Sequence, residues 1–106
     1  MGFLSANLET FTRSLEQLDA SLEELRPIDK KTDELLRFAL SIKARSEPCV
    51  RKHYRGSVDA GASSQEIAYV FALTMREAAG ADDCWTHGVI GDLVDLDSTG
   101  SCGSCG

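Results

Sequence analysis

Ser46-Glu47-Pro48-Cys49-Val50-Arg51-Lys52-His53-Tyr54-Arg55-Gly56-Ser57-Val58-Asp59-Ala60-Gly61 reads as one helix with its start and stop signals both in place. Ser46 offers a side-chain oxygen to the free amides of a first turn. Glu47 complements the positive end of the helix dipole, and Pro48 is tolerated there because its missing N–H has no helical partner. Gly61 supplies the stop. The pattern predicts a helix over 47–60. Downstream, Ser63 followed three residues later by Glu66 is a capping box, which predicts a further helix running to about 79, just before Gly80. Upstream, Asp29 caps a helix to about 45. Its apolar set of Leu35, Leu36, Phe38, Ala39, Leu40 and Ile42 covers more than one face, so burial on most sides is expected, within the chain or between subunits.

Working outward, Leu4, Leu8, Phe11, Leu15, Leu18, Leu22 and Leu25 step by alternating fours and threes. That 3.5-residue seam predicts one long amphipathic helix closed by Pro27. A single narrow seam must dock on the rest of the chain or on another subunit. At the other end, Asp82 or Asp83 caps a fifth helix carrying Trp85, Val89, Leu93 and Leu96, weakened by Gly88 and Gly91 at roughly 1 kcal/mol each. Residues 98–106 hold only Ser, Thr, Gly and Cys102-Gly-Ser-Cys105, and a flexible tail is expected. No stretch alternates as a strand would. The fold class is therefore all-α, with about five helices in a domain over 1–97, of which 1–26 is an oligomerisation helix, and a tail over 98–106.

The chain has 106 residues, 42% apolar and 26% charged, which is the composition of one globular domain. A compact monomer of this mass exposes about 5,800 Å² and buries about 65% of its unfolded surface. A net charge of −6 and a pI near 4.8 argue against nucleic acid, whose usual footprint is a basic patch. No apolar run approaches the roughly 20 residues of a membrane span, and the first eight residues lack a signal peptide's basic and apolar regions. A cytoplasmic protein is expected, in which Cys49, Cys84, Cys102 and Cys105 serve catalysis or metal binding rather than structural disulfides.

Cys49 and His53 lie four apart on one helix face, and Cys49 sits in the first turns, where free amides favour a thiolate. These are the ingredients of an activated cysteine. The bland reading is a packed thiol beside a surface histidine. Cys84 next to Trp85 reads as a small buried apolar residue, and His87 as packing or surface. Glu23 and Glu24 read as solvated surface, and Tyr54 as a core or interface aromatic. Arg51, Lys52 and Arg55 form a basic cluster beside the reactive helix, a solvated face by default.

Glu34 lies twelve residues before Ser46, Ser46 three before Cys49, and Cys49 four before His53. Glu34-x11-Ser46-x2-Cys49-x3-His53 resembles the Glu-x11-Cys-x2-Cys-x3-His signature of the alkylhydroperoxidase D-like (AhpD-like), or carboxymuconolactone decarboxylase, family. The text from His53 through the Gly61 turn to Glu66-Ile67 resembles that family's in register, and the likeness covers roughly 33–87. It implies a helical subunit assembling into homo-oligomers, trimers or hexamers, with the site near a subunit interface. It implies Glu34 as proton acceptor, His53 as relay and Cys49 as the buried reactive thiol, with a thiol or disulfide partner protein or a small dithiol as electron donor.

Ser46 departs from the pattern, because a hydroxyl cannot form a disulfide. It is a native N-cap in a member without dithiol chemistry, or a replacement of cysteine or selenocysteine, or the resolving thiol comes from elsewhere. Cys102 and Cys105 are the in-chain candidates for resolving or relay thiols. A Cys3His zinc set from Cys49, His53, Cys102 and Cys105 is the weaker metal alternative; otherwise no metal and no cofactor are expected. The sequence thus predicts a peroxide- or disulfide-reducing thiol oxidoreductase acting through Cys49, Glu34, His53 and Ser46. The alternatives are a decarboxylase-type proton-transfer enzyme and a non-enzymatic metal-binding scaffold.

Overall fold

The computed structural model describes residues 2–94. They form five helices: α1 (Gly2–Asn7), α2 (Glu9–Leu25), α3 (Lys30–Lys43), α4 (Glu47–Asp59) and α5 (Ser64–Leu93). No strand occurs among the described residues, so the fold is all-α.

The helix starts follow the sequence signals. The Asp29 carboxylate accepts from the Thr32 N–H at 2.8 Å, opening α3. Ser46 Oγ accepts from the Cys49 N–H at 3.4 Å, opening α4. At α5 the capping box is complete: Ser63 Oγ accepts from the Glu66 N–H at 3.1 Å, and the Glu66 carboxylate accepts from the Ser63 N–H at 2.8 Å. The ends of α3 and α4 share one device. The Ser46 N–H donates to the Ser41 carbonyl and the Arg45 N–H to Ile42; the Ala62 N–H donates to Ser57 and the Gly61 N–H to Val58. Both are Schellman closures, which need a left-handed residue. Gly61 supplies it at φ 100°, whereas the first closure places Arg45 at φ 55°.

Two expected boundaries move. The 4–25 helix is broken at Leu8 (φ −137°, ψ 66°) into α1 and α2. Asn7 Nδ2 donates back to the Phe3 carbonyl at 2.8 Å, a local bond of the kind that competes with helix continuation, and nothing packs on α1 from the body to hold the helix straight. Conversely, the helices expected on either side of Gly80 are one 30-residue rod. A glycine costs a helix only about 1 kcal/mol, and Ala78, Ala79 and Ala81 around it are the best helix formers.

Phe38, Ala62 and Ile67 form the buried core, where α3 and α4 meet α5, with Leu35, Ile42, Val50 and Val70 packed around them. The buried hydroxyls satisfy themselves within their own helices: Ser41 donates to the Phe38 carbonyl, Ser57 to His53 and Thr74 to Val70, at 2.7–2.8 Å. Beyond this the chain is open. Leu36 and Leu40 of α3, expected to be covered, are exposed, as is every member of the Leu4–Leu25 seam. Among the described residues α2 packs against no helix but α1. The radius of gyration is 19.0 Å against about 13 Å for a compact chain of this length. The accessible surface of 8125 Å² likewise exceeds the roughly 5,800 Å² expected. No helix among the described residues is long and apolar enough to cross a membrane.

Candidate active site

The α3–α4 hairpin brings Glu34 and His53 together from nineteen residues apart, with His53 Nδ1 3.3 Å from Glu34 Oε2. Glu34 is 7% exposed and His53 is half-buried. A carboxylate only accepts, so Nδ1 carries the proton in this bond and Nε2 is left as the basic nitrogen of the neutral ring. The other carboxylate oxygen, Oε1, faces Lys30 Nζ at 3.8 Å, and the same ammonium lies 3.8 Å from Glu23 Oε2. The buried carboxylate thus has a partner for each oxygen.

Gly56 is the third element of this arrangement. A β-carbon there would run into Glu34 Oε2 and Cδ, so the carboxylate lies flat against bare backbone. Sequence reasoning passed over Gly56 and Lys30. The available signals were a glycine inside a helix, which weakens it unless something must come close, and a Lys–Glu pair at i, i+4.

Cys49 stands one turn before His53 on the same face of α4, and it is the free cysteine among the described residues. It is exposed, not the buried thiol that the family likeness implies, because α4 presents its first turn to solvent in the single chain. Ser46 spends its hydroxyl oxygen as the N-cap. Cys84 departs from its expected role too: it is half-buried and is not a free thiol. His87 is at the surface, 3.5 Å from Asp83. Tyr54 is exposed along one edge and stacks at a tilt on Phe38, centroids 6.4 Å apart. Cys102 and Cys105, and with them half of the zinc alternative, lie outside the described residues. Among those described, no group of three or more His, Cys, Asp or Glu could hold a metal.

Beside Glu34 opens a cleft of about 800 Å³ lined by Lys30, Lys52, Arg55, Gly56 and Asp59. Arg51 borders it as well, its guanidinium 2.8 Å from Glu47. The basic cluster noted in the sequence is therefore one wall of the cleft that reaches the carboxylate.

Residues 9–83, from the first residue of α2 into α5, match the carboxymuconolactone decarboxylase family. The chain belongs to that family. The match takes in Glu34, Ser46, Cys49 and His53, and therefore the whole α3–α4 hairpin on which they are set. No curated protein and no solved structure matches the chain. Membership fixes the domain; the chemistry has to be argued from the site.

Proposed function

We propose that this member of the family is a one-thiol oxidoreductase of the alkylhydroperoxidase type, in which Cys49 reduces a hydroperoxide and the His53–Glu34 pair manages its proton. The observation that carries this reading is the His53 Nδ1–Glu34 Oε2 bond beneath the turn that presents Cys49. The Cys49 proton passes to Nε2, and Glu34 stabilises the resulting imidazolium. The thiolate attacks the distal peroxide oxygen. An S–O bond forms as the O–O bond breaks, and the alkoxide takes the proton and leaves as an alcohol. A donor thiol then condenses with the sulfenic acid, giving a mixed disulfide and water. A second donor thiol displaces Cys49 and leaves as the donor disulfide, so two electrons pass from donor to peroxide. Ser46 cannot resolve the sulfenic acid, and the donor is a small dithiol or a thiol partner protein.

A second reading is favoured by the cleft. Lys30, Lys52 and Arg55 beside the carboxylate suit proton transfer on a carboxylate-bearing substrate, as in lactone decarboxylation, with no role for a thiol.

Hydroperoxide consumption with a dithiol donor, run on the chain, on C49A and on S46C, separates these readings. Turnover by the chain, its loss in C49A and a faster S46C support the one-thiol cycle. Turnover that survives C49A, or none in the chain, overturns it and leaves proton transfer ahead.

A further inference from the structure

Six charged side chains line the cleft beside Glu34, and three of them are paired within the protein. Lys30 lies between Glu23 and Glu34, Glu34 meets Lys30 and His53, and Arg51 meets Glu47. Lys52, Arg55 and Asp59 are exposed and make no ion pair among the described residues. We infer that this row seats the electron donor of the thiol cycle, a small peptide thiol carrying two carboxylates and one ammonium. The inference rests on the one-thiol reading above and names the chemistry of its donor, whose two thiols come from one such peptide or from two.

Spacing, charge and chemistry carry this. Residues 52, 55 and 59 step by three and four, which puts them within about 60° of one another on α4, on the flank next to the exposed Cys49. Lys52 lies about 4.5 Å along the helix axis from Cys49, and Asp59 about 10.5 Å beyond Lys52. A peptide of two or three residues spans about 7–11 Å when extended. With its ammonium at Asp59 and its carboxylates at Arg55 and Lys52, such a ligand lies along the cleft with its thiol at the Cys49 end. The order of signs, two cations and then an anion, is the complement of those three ligand charges. A simple dianion leaves Asp59 unmatched, and an uncharged thiol matches none of the row. In a chain of net charge −6, the two cations draw an anionic donor to a surface that otherwise repels it. They also favour the donor's thiolate, the form that attacks sulfur. That thiolate forms an S–S bond to Cys49 as the S–O bond of the sulfenic acid breaks, and the hydroxide takes a proton and leaves as water. A second donor thiolate bonds to the donor sulfur and releases the Cys49 thiolate. The donor thiols are thereby oxidised to a disulfide and the hydroperoxide is reduced to an alcohol.

The probes are glutathione, which has these three charges, its diethyl ester, which lacks both carboxylates, and N-acetylglutathione, which lacks the ammonium. Hydroperoxide turnover of the full chain is measured with each, and with dithiothreitol as an uncharged donor. In kcat/KM glutathione is expected to exceed the diethyl ester about ten-fold and N-acetylglutathione about three-fold, the scale of exposed ion pairs. The first ratio is expected to fall towards one in K52Q/R55Q, and the second in D59N. S-methylglutathione, which cannot react, is expected to bind the chain in calorimetry and to bind K52Q/R55Q about ten-fold more weakly. Equal kcat/KM for glutathione and its ester, with dithiothreitol turnover intact, overturns the inference and leaves the thiol cycle standing. So does a preference that K52Q/R55Q retains. The ligand series alone decides the matter where a variant fails to fold. No turnover with any donor overturns the cycle and the donor role with it, and absence of S-methylglutathione binding overturns the seat itself. With glutathione and its ester equal, a preference for linoleic acid hydroperoxide over its methyl ester overturns the inference in favour of an acidic oxidant in the cleft.

Discussion

The Glu34 carboxylate rests against the bare α-carbon of Gly56, in space that any β-carbon at position 56 would occupy. A residue with no side chain thereby decides where the buried acid points, and so whether its second oxygen meets His53. G56A is expected to push Glu34 off His53 and to cut hydroperoxide turnover about ten-fold or more, even though alanine is the better helix former by about 1 kcal/mol. Turnover and thermal melting of G56A check this, together with the double variant G56A/E34D, whose shorter acid is expected to recover melting temperature.

Removing the acid's charge while keeping its shape isolates its chemistry. E34Q is expected to keep the helical circular dichroism of the chain and to lose about 100-fold in turnover, the lower end of what general acid–base groups contribute. Unchanged turnover in E34Q removes Glu34 from the proton path.

Arg45 occupies a left-handed conformation at φ 55° that costs an L-residue roughly 1–2 kcal/mol. Against the greater chain entropy that glycine loses on folding, R45G is expected to stabilise by about 0.5–1 kcal/mol, a rise of a few degrees in melting temperature. A drop in melting temperature means that contacts of the Arg45 side chain outweigh the backbone strain at that position.

α3 and α5 are tied by a half-buried pair, Lys31 Nζ to Glu66 Oε2 at 2.9 Å. The Ser63 backbone N–H, then Lys31, hold the Glu66 carboxyl below its ordinary 4.5, and Glu66 holds Lys31 above its ordinary 10.5. A depressed acid stabilises the fold above its unfolded value and stops doing so as pH falls through the folded one. A raised base stabilises below its unfolded value and stops as pH rises past the folded one. Melting temperature is therefore expected to fall below about pH 4.5 and above about pH 10.5. In E66Q the acid-side fall is expected to be shallower, and equal slopes for both chains assign it to other carboxylates such as Asp29, which Thr32 holds below its ordinary value.

The parts of this protein that can be read from its sequence are those decided within a few residues. Asp29, Ser46 and Ser63 cap where their side chains can reach an amide three residues on, and the Glu34-to-His53 spacing carries the family's signature. Gly80 misleads because a helix breaker worth about 1 kcal/mol is outweighed by three alanines around it. Leu8 misleads because the seam's periodicity says nothing of what packs on it. The exposure of Cys49 and the fit of Gly56 under Glu34 are set by how α3 lies on α4, which no local pattern encodes.

The same closing motif at the end of α3 and of α4 also bears on how the chain folds. With α3 and α4 joined through residues 44–46 and their mutual packing local in sequence, forming this hairpin costs little loop entropy. The hairpin is expected to form early, and Phe38→Leu is expected to slow folding more than it hastens unfolding, which the two arms of a denaturant chevron check. On that expectation the His53–Glu34 pair comes together in the first part of the chain to fold, in a step whose rate is independent of protein concentration.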